Sequence, residues 1–267
     1  LGNPGRTTAD VKIDKSVGTF PFTNLIAISC RFDADKNYYQ LASTLLKELP
    51  HNQLESSSKV KLASTSDDDD VAGIGARLVG ITGLKDGELF TELVFTDGKT
   101  PVETINEFDK ITSLLALEFG TNVNSDTGDS EPVGDIYCGT GTFTNGIPDA
   151  PIVVIDSDYH DTRSREGIFT IPDGKYAFIR DYFVTVKSAV GSVNNSVDFQ
   201  LVLKPFGAPS TFWLKVTEFF YTNTYNYKPE AIVIIPPNFD LQLRVQKIVA
   251  NHIGTATMTL ELQDIRG

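Results

Sequence analysis

The chain has 267 residues, 40% of them hydrophobic and 22% charged, which is ordinary for a globular protein with a core and argues against disorder along its whole length. With 23 basic residues against 35 acidic ones the net charge is −12, a field that repels phosphate backbones and excludes nucleic-acid binding through a general basic surface. No apolar run approaches the ~20 residues of a membrane-spanning helix, and no charged-then-apolar leader is visible.

The first 63 residues read as an N-terminal segment or arm. The only methionine is Met258, so the start of the gene product is expected upstream of Leu1. In "DKNYYQLASTLLKELP", Tyr38, Leu41, Ala42, Leu45, Leu46 and Leu49 recur at helical spacing, and Pro50 supplies a stop. That stripe predicts a short helix packed on a core. The two cysteines, Cys30 and Cys138, are far apart and lack the close spacing of a zinc site. Whether they pair with each other is left open.

The polar stretch "QLESSSKVKLASTSDDDD" leads into a first β-domain expected over residues 64–148. "ARLVGITGL", "ELFTELVFTDG" and "ITSLLALEFG" read as strands, and Asp97-Gly98 has the chemistry of a hairpin turn. A long polar loop follows in "GTNVNSDTGDSEPVGD", and "TNGIPDAP" reads as an interdomain connector.

A second β-domain is expected over 149–267, where period-two alternation dominates. Val197, Phe199, Leu201 and Leu203 share one face; so do Phe212, Leu214 and Val216; so do Phe239, Leu241, Leu243 and Val245; so do Ala256, Met258, Leu260 and Leu262. This is the pattern of half-buried antiparallel strands. Turns are expected at Pro172-Asp173-Gly174 and at Pro236-Pro237. The expected fold class is therefore mainly β: two antiparallel, jelly-roll-like sandwiches behind a short helix-containing N-terminal segment.

Candidate chemistry is sparse. His51, His160 and His252 sit in polar sequence with no nucleophile elbow nearby. "GIGARLVG" leads into β-branched residues, so it does not open a helix as a dinucleotide fingerprint must. Asp67 to Asp70, and Asp156, Asp158 and Asp161, concentrate carboxylates in two loops. A calcium ion there is chemically allowed but not expected, because neither run has the glycine and closing glutamate of a calcium loop. Solvated acidic loops are the expectation, and no cofactor is expected. Paired carboxylates would also suit a glycosidase, but no pairing distance can be read. The aromatic run "TEFFYTNTYNY" brings Phe219, Phe220, Tyr221, Tyr225 and Tyr227 together as a candidate interaction loop, or as residues that complete and cover a core. Asn194 in "NNS" is formally a glycosylation acceptor.

The segment "STSDDDDVAGIGARLVGITGLKDGELFTELVFTDGKTPVETINEFDKITSL" resembles one found in virion proteins of tailed bacteriophages, marine ones in particular. The resemblance rests on Gly73, Gly75, Ala76, Arg77, Val79, Ile81, Gly83 and Leu84, then Thr91, Glu92, Val94, Gly98, Thr100, Pro101, Val102 and Thr104. "GIFTIPDGKYAFI" and "AIVIIPPNFDLQLRV" are similar to later segments of the same proteins, so the likeness covers about Ser64 to Gly267. It implies a non-enzymatic structural protein of the virion, most naturally a head-decoration or capsid-exterior protein. A tail appendage or receptor-binding component is the alternative, and a tail-associated glycosidase is least favoured. The implied partners are other virion proteins and further copies of the chain, with a trimer suggested by virion symmetry, and neither nucleic acid nor membrane. On this reading the acidic run leads into an edge strand whose small residues let a neighbour approach.

Overall fold

The computed structural model describes residues 24–33, 53–165, 167–188, 198–205, 212–214, 224–227, 234–247 and 252–264. Those residues form strands in four antiparallel sheets, numbered here in chain order. The mainly β, sandwich-type expectation is met. The helix expected over "DKNYYQLASTLLKELP" lies outside the described residues, as do His51 and Asn194.

Two sheets share the first core. One runs β5 (Val102–Glu103), β2 (Lys61–Ser64), β7 (Ile136–Thr144), β8 (Ile147–Ile155). The other runs β4 (Glu88–Phe95), β3 (Ala76–Lys85), β6 (Lys110–Phe119). Between them lie Val79 and Ile81 from β3, Ile111 and Leu114 from β6, Leu62 from β2, and Ile152 and Ile155 from β8, all essentially inaccessible to water. Side chains of this size contribute roughly 1.5–3 kcal/mol each when fully buried.

Turn chemistry sets the registers. The β3–β4 hairpin closes at Lys85↔Glu88 through Asp86 and Gly87, with φ of 52° and 76°. Two left-handed central residues make the turn whose twist matches paired strands, and Asp-Gly is its favoured sequence. Asn145 and Gly146 (φ 51° and 84°) do the same between β7 and β8. The stretch "TNGIPDAP", expected to be a connector, is thus a hairpin turn and the start of a strand. Conversely, Asp97-Gly98 is not a hairpin: Thr100 N–H donates to the Asp97 carbonyl, and the chain crosses to β5, which pairs with β2 in the opposite sheet. The strand β3 is also not an edge, since β4 and β6 flank it on both sides.

The other two sheets hold the C-terminal strands. One runs β1 (Asn24–Asp33), β16 (His252–Asp264), β10 (Lys175–Ser188), β13 (Thr224–Tyr227), with β14 (Ile234–Ile235) also on β10. The other runs β12 (Phe212–Leu214), β11 (Asp198–Pro205), β15 (Phe239–Lys247), β9 (Ile168–Thr170). The alternation read in "TATMTLELQ" appears as buried Met258, Leu260 and Leu262. Residues from the N-terminal segment enter this half, because β1 pairs along its whole length with β16. The Pro172-Asp173-Gly174 turn carries the chain from β9 in one of these sheets to β10 in the other.

The halves are joined by packing and by a polar link. Ile168 of β9 completes the first core. Lys110 on β6 donates to the Leu54 carbonyl (3.0 Å) and to Asp240 on β15 (3.4 Å), whose other oxygen accepts from Thr170 (2.7 Å). Both charged side chains are largely buried, so removing either partner leaves the other charge uncompensated.

Candidate interaction surface

The acidic run at 67–70 organises one end of the β4-β3-β6 sheet. Asp69 is fully buried. Its Oδ1 accepts from the backbone N–H of Ala76 (2.7 Å) and Val133 (3.0 Å); its Oδ2 accepts from Gly134 N–H (2.8 Å) and the Ser64 hydroxyl (2.6 Å). A buried carboxylate is tolerated only when its lone pairs are filled in this way. The following glycines make the room: a Cβ on Gly75 would lie 2.0 Å from Asp69 Oδ1, and one on Gly73 would lie 2.1 Å from the Asp68 carbonyl.

The other three aspartates have separate tasks. Asp67 is exposed and paired with Lys99 (2.9 Å), whose ammonium holds the carboxyl below the usual aspartate range. The Asp68 carbonyl accepts from Gly75 N–H, and the Asp70 carboxylate accepts from Ala72 N–H. The expectation of a wholly solvated acidic loop is corrected at Asp69. Gly73 and Gly75 marked a close approach here without showing which of the four acids it would bury.

The second acidic run is similarly divided. Asp156 caps the short turn Ser157–Tyr159, and buried Asp161 pairs with Arg165 at 2.7 Å. Burial first, then the charges of Asp135 and Asp156, push the Tyr137 phenol well above its ordinary value. Exposed His160 meets Glu131 through Nδ1 at 2.6 Å. Among the described residues, no three His, Cys, Asp or Glu side chains form a group that could hold a metal ion. Cys138 is buried in β7, and Cys30 lies in β1 opposite Ala256.

A third carboxylate fixes the loop before β6. Glu92, buried on the inner side of β4, accepts from the backbone N–H of Ile105 (2.6 Å) and Asn106 (3.0 Å) and from the Asn106 side chain (2.8 Å). Lys85 adds a bond to Asn106 Oδ1 at 2.7 Å. The pinned loop presents Ile105 to solvent with 83% of its surface exposed.

The outer face of the β4-β3-β6 sheet is the feature that none of the sequence signals singled out. Leu93 and Phe95 on β4 are 56% and 59% exposed, and Leu115 and Leu117 on β6 are 43% and 48% exposed. Register places Phe95 beside Leu78, Leu93 and Leu115 on either side of Gly80, and Thr91 beside Thr82. Leu93 and Leu117 lean over the glycine from both flanks; a Cβ there would sit 3.4 Å from Leu117 Cδ1 and 3.6 Å from Leu93 Cδ2. The result is a cluster of exposed apolar side chains gathered around Gly80. Monomers rarely leave more than a few hundred Å² of such surface open.

The expected aromatic loop is only partly in view. Tyr225 and Tyr227 lie in β13, opposite Val184 and Tyr182 of β10, while Phe219, Phe220 and Tyr221 lie outside the described residues. His252 begins β16.

No family model matches the chain, and no curated protein matches it. Among solved structures it aligns with the infectious bursal disease virus VP2 subviral particle at 8% identity, over 92% of this chain and 73% of that one, with a TM-score of 0.23. Particles described as infectious bursal virus-derived T=1 align at 7% identity over 91% and 70%, TM-score 0.24. The Gt strain of infectious bursal disease virus aligns at 9% over 98% and 74%, TM-score 0.23. Scores at this level establish no shared fold, and no role is carried from them to this chain. The tailed-phage resemblance is corrected: its motifs match no family model and no curated protein. Local structural tasks account for several motif residues instead. Gly75 makes room for Asp69, Ala76 supplies it an amide, and the Arg77 guanidinium closes the loop on the Gly73 carbonyl at 2.8 Å.

Proposed function

We propose that the chain is a non-enzymatic structural protein of a virus particle, placed in the shell or on its exterior and working through contacts with other virion proteins and with copies of itself. The observation that carries this reading is the exposed apolar face formed by Leu93, Phe95, Leu115 and Leu117 on a sheet whose loops are held by buried acids. A sheet packed on one side and apolar on the other is built to receive a neighbour. The buried carboxylates Asp69, Glu92 and Asp161 accept from backbone amides or pair with arginine, so they serve as structural ties. The aromatic run from Phe219 to Tyr227 stands in this reading as a second contact region, on the sequence argument alone.

Purified particles test the proposal. Mass spectrometry and electron microscopy should find the chain at many copies per particle, in the shell or on its outside. Its absence from purified particles would overturn the reading. Sedimentation of the purified protein decides whether copies associate as the trimer suggested by virion symmetry.

A further inference from the structure

We propose that the outer face of the β4-β3-β6 sheet seats the same face of a second copy about a two-fold axis. This rests on the reading of the chain as a particle component that contacts its own copies.

Size is the first argument. Four large apolar side chains, each about half exposed, amount to a few hundred Å² of surface, roughly half of the ~800 Å² that each partner gives to a stable interface. Thr82, Thr91 and the strand backbone between them extend the patch toward that share.

Shape is the second. Because Gly80 carries no side chain, Leu93, Leu117 and Thr91 approach one another over β3, within 3.4–3.6 Å of where a Cβ on the glycine would sit. A sheet face of this kind can be covered by another sheet face packed about 10 Å away. The inner face of this same sheet is already covered in that way by β5-β2-β7-β8. A second copy supplies an apolar surface of matching size, and self-matching patches are what two-fold contacts use.

Charge is the third. In a chain of net charge −12, the four apolar side chains of this patch have no acid between them; Glu88 by the turn and Glu118 opposite Leu78 lie at its ends, and exposed Arg163, bridged to Leu115, lies at its β6 edge. Two copies of an acidic protein repel unless they meet where acids are missing. A basic partner would need carboxylates within the face, and the face offers it none.

Sedimentation equilibrium over a dilution series tests the contact with wild type, Leu93→Lys, Leu117→Lys, the double variant, and Ile147→Lys as a control on an exposed apolar residue of β8. Wild type should associate. Each lysine on the face should weaken association by about tenfold or more, because the charge would be buried unpaired, and the double variant should abolish this contact. Ile147→Lys should leave association unchanged, and at dilutions where wild type is monomeric all variants should melt as it does, since the changed side chains are exposed. Hydrogen exchange should show β4 and β6 gaining protection only as concentration rises. A monomeric wild type, or association indifferent to the face variants, overturns the inference. So does protection of β4 and β6 that does not change with concentration, because their ladders to β3 already protect them in a single copy and only a concentration-dependent increase reports the contact. If the chain is found in particles while the face variants associate normally, this inference fails and the structural role stands. If the face contact forms in solution but purified particles lack the chain, the role fails and the contact stands.

Discussion

The two faces of the β4-β3-β6 sheet draw on similar residues and meet opposite surroundings. On the inner side, Val79, Ile81, Val94 and Leu114 are at most 5% exposed and pack against the β5-β2-β7-β8 sheet. On the outer side, Leu93, Phe95, Leu115 and Leu117 keep about half of their surface in water. Hydrophobicity alone does not separate the two sets. Two details of the strands do: the Asp86-Gly87 turn fixes which side chains point inward, and the buried carboxylates Asp69 and Glu92 hold the loops that close the inner layer. A one-residue slip of the hairpin would exchange the faces.

The comparison is broken most severely at Asp69. Asp69→Ala leaves the amides of Ala76, Val133 and Gly134 buried without an acceptor and should cost about 3–5 kcal/mol, read as a shifted midpoint in urea unfolding. Asp69→Asn, which places a donor among donors, should recover only part of that loss.

Next come paired truncations on the two faces. Ile81→Ala opens a cavity in the first core and should cost ~2–4 kcal/mol, whereas Leu93→Ala should stay within about 0.5 kcal/mol for the isolated chain. Equal losses from the two would remove the distinction between an inner and an outer face.

The two glycines of β3 sharpen it further. An added methyl on Gly83 would sit 2.1 Å from the Lys110 carbonyl, so Gly83→Ala should destabilise by ~1–3 kcal/mol. At Gly80 the nearest atoms are 3.4 Å away, and Gly80→Ala should be neutral or slightly stabilising. Thermal melts of the pair read the difference.

The smallest effect belongs to exposed Asp67. Its carboxyl titrates below the ordinary aspartate range because of Lys99, so the stabilisation from this pair is present above the unfolded-state pKa and is lost as pH falls through the folded-state value. Lys99→Gln should move the Asp67 titration back up, as followed by NMR, with almost no change in melting temperature. An unmoved titration would remove Lys99 as the cause.

Much of the strand framework was legible beforehand. Alternation in "TATMTLELQ" and "NFDLQLRVQ" located β16 and β15, because side-chain period two is a local property of the chain. The crossing at Asp97-Gly98 was not legible, because a turn sequence does not say which sheet the next strand will join. Nor was the task of Asp69, whose partners Val133 and Gly134 lie more than sixty residues away in sequence. The aspartate run looked solvated because four adjacent acids give no local sign of which one will meet distant amides.

By itself the sequence determined a β-rich, acidic chain with its turns and many of its strands in place, since alternation, turn residues and charge act over a few positions. Only the tertiary structure decided that β3 is a central strand, that Asp69 is buried, and that one apolar face lies open. The physical reason is that burial and pairing are relations between segments distant along the chain. A leucine in a strand is dry or wet according to what packs across from it.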